Sequence, residues 1–565
     1  MTAKKVTGAH ALMLSLLEES VDTIFGYPGG QIMPVYDALY DYQKEIKHIL
    51  TRHEQGAVHG AQGYARVSGK TGVCLATSGP GATNLLTGIA DAMIDSTPLV
   101  CITGQVPAPL LGTDAFQESD IVGMSIPVTK WNYQVTTPEE IPEAIAKAFY
   151  IARSGRPGPV LIDLTKDAQF GEVEFVYEKI TKIRSYVPEM HVDPHQVKAA
   201  AGLIDEAQKP LLLFGHGIII SNAEEELKAF IEKTGIPAAW TLLGLSALPS
   251  DHPLNVGMLG MHGNYGPNLL TNEADLIIAV GMRFDDRVTS KVSEYAKKAK
   301  IIHVEIDPAE LNKIVKADVS ILGDAKKALK MLTNNVKENS FNGWLAEFRK
   351  CDEIEHEKVC QKDLYPVKPG LTMGEVIRIA AEKTNNDAVL VTDVGQQQMV
   401  AQRYFKFKRS RSNVTSGGLG TMGFGLPAAM GAQIGAPGRT VIAVIGDGGF
   451  QMTLQELGTI AQNKLPVKII VMNNSFLGMV RQWQQLFFER RYSSTELYNP
   501  DFIAIANGFG IEGQHVAERE NLENAVQEML DHNGPYLLEV KIEKEDNVFP
   551  MVAPGASVSD IILEP

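Results

Sequence analysis

Short apolar runs that end in glycine-rich turns alternate with helix-period stretches along nearly the whole chain. Continuous apolar runs suit strands buried on both faces, and parallel strands need helical crossovers, so the alternation predicts parallel sheets covered by helices on both sides. At 565 residues the chain exceeds what one hydrophobic core can organise. The expectation is an α/β protein of three doubly wound parallel-sheet domains. The first, 1–175, contains TGVCLATSGPGATNLLTGIADAMIDSTPLVCIT, which reads as strand, glycine loop, helix, strand. The second, 190–335, contains KPLLLFGHG, ADLIIAVGMRFDD and AKIIHVEIDP, each a strand closing at a turn. A polar, strandless stretch at 336–370 is expected to be a linker before the third domain at 371–545, and a tail occupies 546–565.

The formal charge of −15 offers no basic face, which excludes nucleic acid and anionic membranes as expected partners. Cys74, Cys101, Cys351 and Cys360 show no CxxC spacing, so neither a zinc site nor a disulfide framework is predicted. The opening stretch meets Glu18 and Ser20 too soon for a membrane-spanning helix and carries no secretory signal. A cytoplasmic location is the expectation.

The strongest chemical signal is RTVIAVIGDGGFQMTLQELGTIAQNKLPVKIIVMNN in the third domain. It parses as strand 440–445, a GDGG loop, helix 453–463 and strand 467–472, one βαβ unit. Two parallel neighbours end on the same sheet edge, so Asp447 and Asn474 are predicted to converge there despite the 24 residues between Gly448 and Asn473. A carboxylate with an amide oxygen suits a hard cation such as Mg²⁺, and Gly446, Gly448 and Gly449 let the backbone turn tightly and offer N–H groups to a diphosphate. Read alone, GDG is a common turn; the strands and helix around it give the pattern its weight.

With that spacing the segment resembles the thiamine-diphosphate enzymes, in which the motif Asp, the second Asn and the carbonyl two residues later hold Mg²⁺. The resemblance implies Asp447, Asn474 and Phe476 as metal ligands. TRHEQGAVHGAQGYARVSGK and the SGPGATN turn resemble the family's pyrimidine-binding segment, implying that Glu54 activates the cofactor ring at N1′ and that Gly79 and Asn84 lie beside it. Read alone, a glutamate at this position more often caps or decorates a helix starting near His53 than it performs catalysis. Gly420 and Met422, in VTSGGLGTMGFG, match the segment that props the bent cofactor, although a methionine by itself is more often core packing. Gly395, Gln396 and Gln397, in DVGQQQM, match the diphosphate side, with Gln397 where the family usually has histidine.

Across the whole chain the closest resemblance is to the acetohydroxyacid (acetolactate) synthase family, carried by GQVPAPLLGTDAFQESD, SGRPGPVLIDLTKD, GMLGMHGNYGPN, GMRFDDRVTSK, HVEIDPAE and NNSFLGMVRQWQQLF. It implies decarboxylation of pyruvate and ligation of the two-carbon unit to a second pyruvate or to 2-ketobutyrate, the first common step of branched-chain amino acid biosynthesis. Arg287 is implied as the cation for the second acid's carboxylate and Trp483 as the aromatic favouring 2-ketobutyrate. Phe116, Gln117, Lys166, Met479 and Val480 match further pocket positions. From local sequence, Arg287 could instead pair with Asp285 or Asp286, and Trp483 could be a core aromatic.

The second domain resembles the flavin-binding domain of the biosynthetic synthases, implying FAD held near Arg156, Gly215, Gly217, His262, Gly281, Arg283, Asp307 and Asp324. Because the reaction transfers no net electrons, that flavin is expected to be structural. The resemblance further implies a homodimer or homotetramer and a small regulatory subunit. A thiamine- and FAD-dependent pyruvate oxidase and a simple 2-keto-acid decarboxylase share the scaffold and stay open as alternatives.

Overall fold

A computed structural model describes residues 4–188 and 190–564. The expected residues 1–3 of the first domain and 565 of the tail lie outside that range. Three six-stranded sheets form, and every pairing within them is parallel.

In spatial order the first sheet runs Lys47–Leu50, Thr23–Gly26, Gly72–Ala76, Leu99–Gln105, Pro159–Thr165 and Trp131–Val135. The third runs Asn413–Thr415, Val389–Thr392, Val441–Gly446, Lys468–Asn473, Tyr536–Lys541 and Glu512–Val516. Numbered within each sheet, both have the order 2-1-3-4-6-5. The central sheet, running Asn255–Met258, Ala238–Trp240, Pro210–Phe214, Leu276–Val280, Lys300–Glu305 and Val319–Leu322, has the order 3-2-1-4-5-6 of dinucleotide-binding folds. In such sheets the chain reverses its winding at one point, and ligands bind beyond the carboxyl ends of the strands that flank it.

The first and third domains meet through two helices, Glu54–Ser68 and Gly425–Gly435. A methyl group on Gly63 would collide with the Ala428 carbonyl, and one on Gly431 with the Gly60 carbonyl, so the two backbones touch and glycine is required at the crossing. Buried Val58, Ala61, Ala428 and Met430 surround that contact in one continuous core.

Residues 336–370 are not an extended linker. Asn342–Glu355 is a helix that buries Trp344, Phe348 and Cys351, and its Trp344 Nε1 donates to the Pro210 carbonyl at 2.9 Å. The tail returns to the central domain, where the Val552 amide donates to Met261 at 2.8 Å. Among the described residues no helix is long and apolar enough to cross a membrane.

Candidate active site

At the carboxyl edge of the third sheet, Val441–Gly446 and Lys468–Asn473 pair in register as far as Gly446 opposite Met472, which brings Asp447 and Asn474 to adjoining turns. Asp447 Oδ2 accepts from the Ser475 amide at 2.9 Å and from Asn499 Nδ2 at 2.6 Å, whereas Oδ1 accepts only from the Gly448 amide at 3.1 Å. Burial raises the Asp447 carboxyl to about 6. Asn474 Oδ1 accepts from the Phe476 amide at 3.1 Å, and its Nδ2 donates to Gln396 Oε1 at 3.3 Å. A free Oδ1 lone pair on each of Asp447 and Asn474 suits a hard ion whose remaining ligands come from a phosphate group and water. Among the described residues no trio of His, Cys, Asp or Glu side chains could hold a metal unaided.

The neighbouring turn after Val389–Thr392 carries Gly395 with φ +148°. A Cβ there would lie 2.5 Å from Gln397 Oε1, and one on Gly446 would lie 3.0 Å from the same oxygen, so the Gln397 amide fills the space between the two glycines. Gln397 Nε2 is buried without an acceptor. A buried donor left unpaired costs on the order of 1–3 kcal/mol, which an anionic oxygen in this turn would remove. Met422 approaches from the other side: a Cβ on Gly448 would sit 3.7 Å from Met422 Cε. These residues fit a diphosphate with its cation.

Asn499 lies outside every motif and Asp393 opens DVGQQQM, and both shape this edge. Asn499 bridges Asp447 and Asn473 Oδ1, the latter at 2.9 Å. Asp393 accepts from the amides of Gly423 at 3.1 Å and Gly425 at 2.7 Å, fixing the start of Gly425–Gly435, and burial raises it to about 6.

A cavity of about 820 Å³ runs from this edge to the switch point of the central sheet. There the turns after Pro210–Phe214 and Leu276–Val280 interlock: the Gly217 amide donates to Gly281 at 2.9 Å, and a Cβ on Gly217 would lie 2.6 Å from Gly281 Cα. Arg156, Gly217, His262, Gly281, Arg283 and Asp324 line the cavity; Gly215 and Asp307 do not. Asp307 instead meets Arg156 NH1 at 3.2 Å, and Gly215 lies behind the wall with its amide on Val280. Glu305, which sequence reasoning passed over, does line the cavity; burial raises it to about 7 while its Oε1 accepts from the Ile306 amide at 2.8 Å. His262 is pushed down to about 4 by burial and is neutral, its Nδ1 3.3 Å from the Pro550 carbonyl.

Gly395, Gly420, Met422, Met479, Val480, Trp483 and Arg287 line the same cavity. Met479, Val480 and Trp483 project from Gly478–Phe487, and the Trp483 ring stands edge-on to Phe487 with centroids 5.4 Å apart. Arg287 is 61% exposed and lies 3.8 Å from Asp286, so the local ion pair forms while the guanidinium keeps access to the cavity.

Glu54, Gly79, Asn84, Phe116, Gln117 and Lys166 do not line that cavity. They gather at the carboxyl edge of the first sheet. Glu54 opens Glu54–Ser68, is 8% exposed, and accepts from Asn84 Nδ2 at 2.9 Å. Gly79 has φ +57°, and a Cβ on it would meet the Gln117 carbonyl at 2.8 Å. Lys166 directly follows Pro159–Thr165, and Phe116 is 84% exposed.

Family models match in all three domains: the thiamine pyrophosphate enzyme N-terminal TPP binding domain over 6–124, the central domain over 197–332 and the C-terminal TPP binding domain over 393–540. Fold and site therefore define a thiamine pyrophosphate enzyme. The chain is 47% identical over 560 residues to the acetolactate synthase isozyme 2 large subunit of Escherichia coli, covering 99% of both chains. It is 46% identical to the acetolactate synthase large subunit of Corynebacterium glutamicum (99% of this chain, 90% of that one) and 45% identical to that of Parasynechococcus marenigrum (99% and 91%). The chain belongs to the acetolactate synthase large-subunit family of these enzymes.

Proposed function

We propose that this chain is a catalytic carboligase that decarboxylates pyruvate and joins the two-carbon remainder to a second pyruvate or to 2-ketobutyrate, giving 2-acetolactate or 2-aceto-2-hydroxybutyrate. The observation that carries the reading is the convergence of Asp447, Asn474 and the unpaired Gln397 amide on adjoining glycine-lined turns, one of which reaches, through Gly395, the cavity lined by Arg287 and Trp483. Thiamine diphosphate, when bound, supplies a nucleophilic carbon that holds the electron pair released with carbon dioxide.

The protein's part is positioning and proton control. Asp447, Asn474 and the Phe476 carbonyl would hold Mg²⁺, and Gln396, Gln397, Gly395, Gly446, Gly448 and Gly449 would cradle the diphosphate. Met422 and Gly420 would support the middle of the cofactor. Glu54 would hold a proton at the pyrimidine N1′. Arg287 would grip the acceptor carboxylate through parallel N–H bonds, while Trp483, Met479 and Val480 keep the reacting carbon dry. Gln117 and Lys166 complete the pocket from the Glu54 side, with Phe116 beside them.

Within one chain the Glu54 carboxylate accepts from Asn84 of its own domain and hydrogen-bonds no residue of the diphosphate turns, so a complete site would take its Glu54 from a second copy, in a homodimer or homotetramer. Met33, Leu110, Phe116, Met124, Ile126 and Phe170 are exposed in the domain that carries Glu54, as an apolar surface awaiting such a copy would be. The central domain would hold FAD structurally, with Arg156 and Arg283 toward its phosphates, as the strand order and the interlocked glycine turns support. The relatives are named large subunits, and a smaller regulatory partner is part of the proposal.

Purified chain supplied with pyruvate, Mg²⁺ and thiamine diphosphate should release carbon dioxide and acetolactate, and the protein should absorb at flavin wavelengths. Acetaldehyde as the main product, or oxygen uptake matching pyruvate loss, would refute the carboligase reading.

A further inference from the structure

The loop Ser416–Met422 bears Gly420 and Met422, yet its conformation is set by another domain. Helix Leu86–Ile94 of the first domain ends against it. Asp91 Oδ1 accepts from both hydroxyls at the loop's ends, Ser416 Oγ and Thr421 Oγ1, the latter at 2.9 Å. Asp95 accepts from two successive loop amides, Gly417 at 2.8 Å and Gly418 at 2.7 Å. Arg66 joins the group, donating to Asp95 Oδ2 at 2.8 Å and to the Thr415 carbonyl at 2.6 Å. A Cβ on Gly418 would lie 2.7 Å from Ile94 Cγ1, so the loop presses directly on the helix end.

This arrangement is costly in isolation. Two carboxylates with under 3% exposure share one guanidinium and stand at the C-terminal end of a helix, where the peptide dipoles disfavour negative charge. What offsets the cost is the set of loop donors. Between the anchors, Leu419 and Gly420 are exposed, so the clamp grips the ends and leaves the tip free to meet a ligand.

We propose that Asp91, Asp95 and Arg66 are positioning residues that hold Ser416–Met422 in its cofactor-receiving shape, so that the first domain sets the thiamine diphosphate affinity of the third domain in the same chain. The inference rests on the reading that Met422 and Gly420 contact the cofactor.

The test uses the full-length protein and measures the dissociation constant of thiamine diphosphate at saturating Mg²⁺, alongside the melting temperature without cofactor. Asp95→Asn is isosteric but turns an NH₂ toward one loop amide and removes the charge facing Arg66, so the constant should rise about 10- to 100-fold. Asp91→Ala should act likewise, whereas Asp91→Asn keeps an acceptor oxygen for both hydroxyls and should bind within about threefold of the parent. Ile89→Val trims the buried face of the same helix without reaching the loop; it should lower the melting temperature and leave the constant unchanged. Parent-like binding by Asp95→Asn and Asp91→Ala, while Met422→Ala binds weakly, overturns the clamp and spares the cofactor reading. Parent-like binding by Met422→Ala as well overturns the cofactor reading itself and the clamp with it.

Discussion

Replacing Glu54 by glutamine separates proton handling from structure. The side chain is buried at the first position of its helix and accepts from Asn84 Nδ2 at 2.9 Å through Oε2. Glutamine has the same shape and can present its oxygen to Asn84, so that bond survives. What disappears is a negative charge at a helix N-terminus, worth about 0.3–1 kcal/mol, which in a domain of this size lowers the melting temperature by about 1–4 °C. If the carboxylate drives the proton relay at N1′, turnover should fall on the order of 10²–10⁴-fold, equivalent to about 2.7–5.5 kcal/mol of transition-state stabilisation. The assay is acetolactate formation at saturating pyruvate and cofactor, with the melting temperature measured on the same preparation. Turnover within threefold of the parent would refute the role of Glu54. A melting temperature lowered by more than about 10 °C would show that the carboxylate is structural.

Trp483→Leu keeps an apolar contact but removes the aromatic face, and should reduce discrimination between 2-ketobutyrate and pyruvate by about 10- to 100-fold, read from product ratios in competition. Glu305 has a folded-state value of about 7 against an ordinary 4.5, so the native state binds its proton more tightly than the unfolded chain. Its contribution is therefore most favourable at low pH and is lost as pH rises from about 4.5 through 7, by at most roughly 3 kcal/mol. Glu305→Gln should thus raise the melting temperature of flavin-free protein at pH 8 more than at pH 5, measured by calorimetry. Gly431→Ala drives a methyl group into the Gly60 carbonyl and should cost about 3 kcal/mol or more, seen as a lower urea midpoint.

Much of the fold was legible because buried parallel strands announce themselves as unbroken apolar runs. The two strands of the diphosphate unit lie at Val441–Gly446 and Lys468–Asn473, one residue later than the pattern indicated. The intervening helix was read too short: GDGG looks like a loop, but helix Asp447–Thr453 begins inside it, and a 3₁₀ turn joins it to Leu457–Gln462. The helix Asn342–Glu355 was masked by its charge, since only the apolar residues Trp344, Phe348 and Cys351 mark the buried stripe among four acids, one arginine and one lysine. Asn499, Asp91 and Asp95 were invisible for a different reason. Each acts on a loop far away in sequence, and nothing local distinguishes Asn499 in YNPDF from a turn residue or Asp95 from a helix-ending acid.

Three switch points explain the division of labour. In the first sheet the turns after Thr23–Gly26 and Gly72–Ala76 meet, with the Gln31 amide donating to Thr77 Oγ1 at 3.2 Å. In the third, the turns bearing Gln397 and Gly446 meet; in the central sheet, those bearing Gly217 and Gly281. The central pair lines one cavity through Gly217 and Gly281, and the third sheet's reaches it through Gly395 although Gln397 and Gly446 do not line it; neither turn of the first pair lines it. The glycine-mediated contact between Glu54–Ser68 and Gly425–Gly435 fixes that separation, because neither helix can slide without driving a carbonyl into its neighbour. Rearrangement within one chain is therefore a poor route to bringing Glu54 to its own diphosphate turn. Under the proposed pairing of two chains, the missing carboxylate would arrive while every helix stays where it is, and the apolar residues exposed on that domain would be covered in the same step.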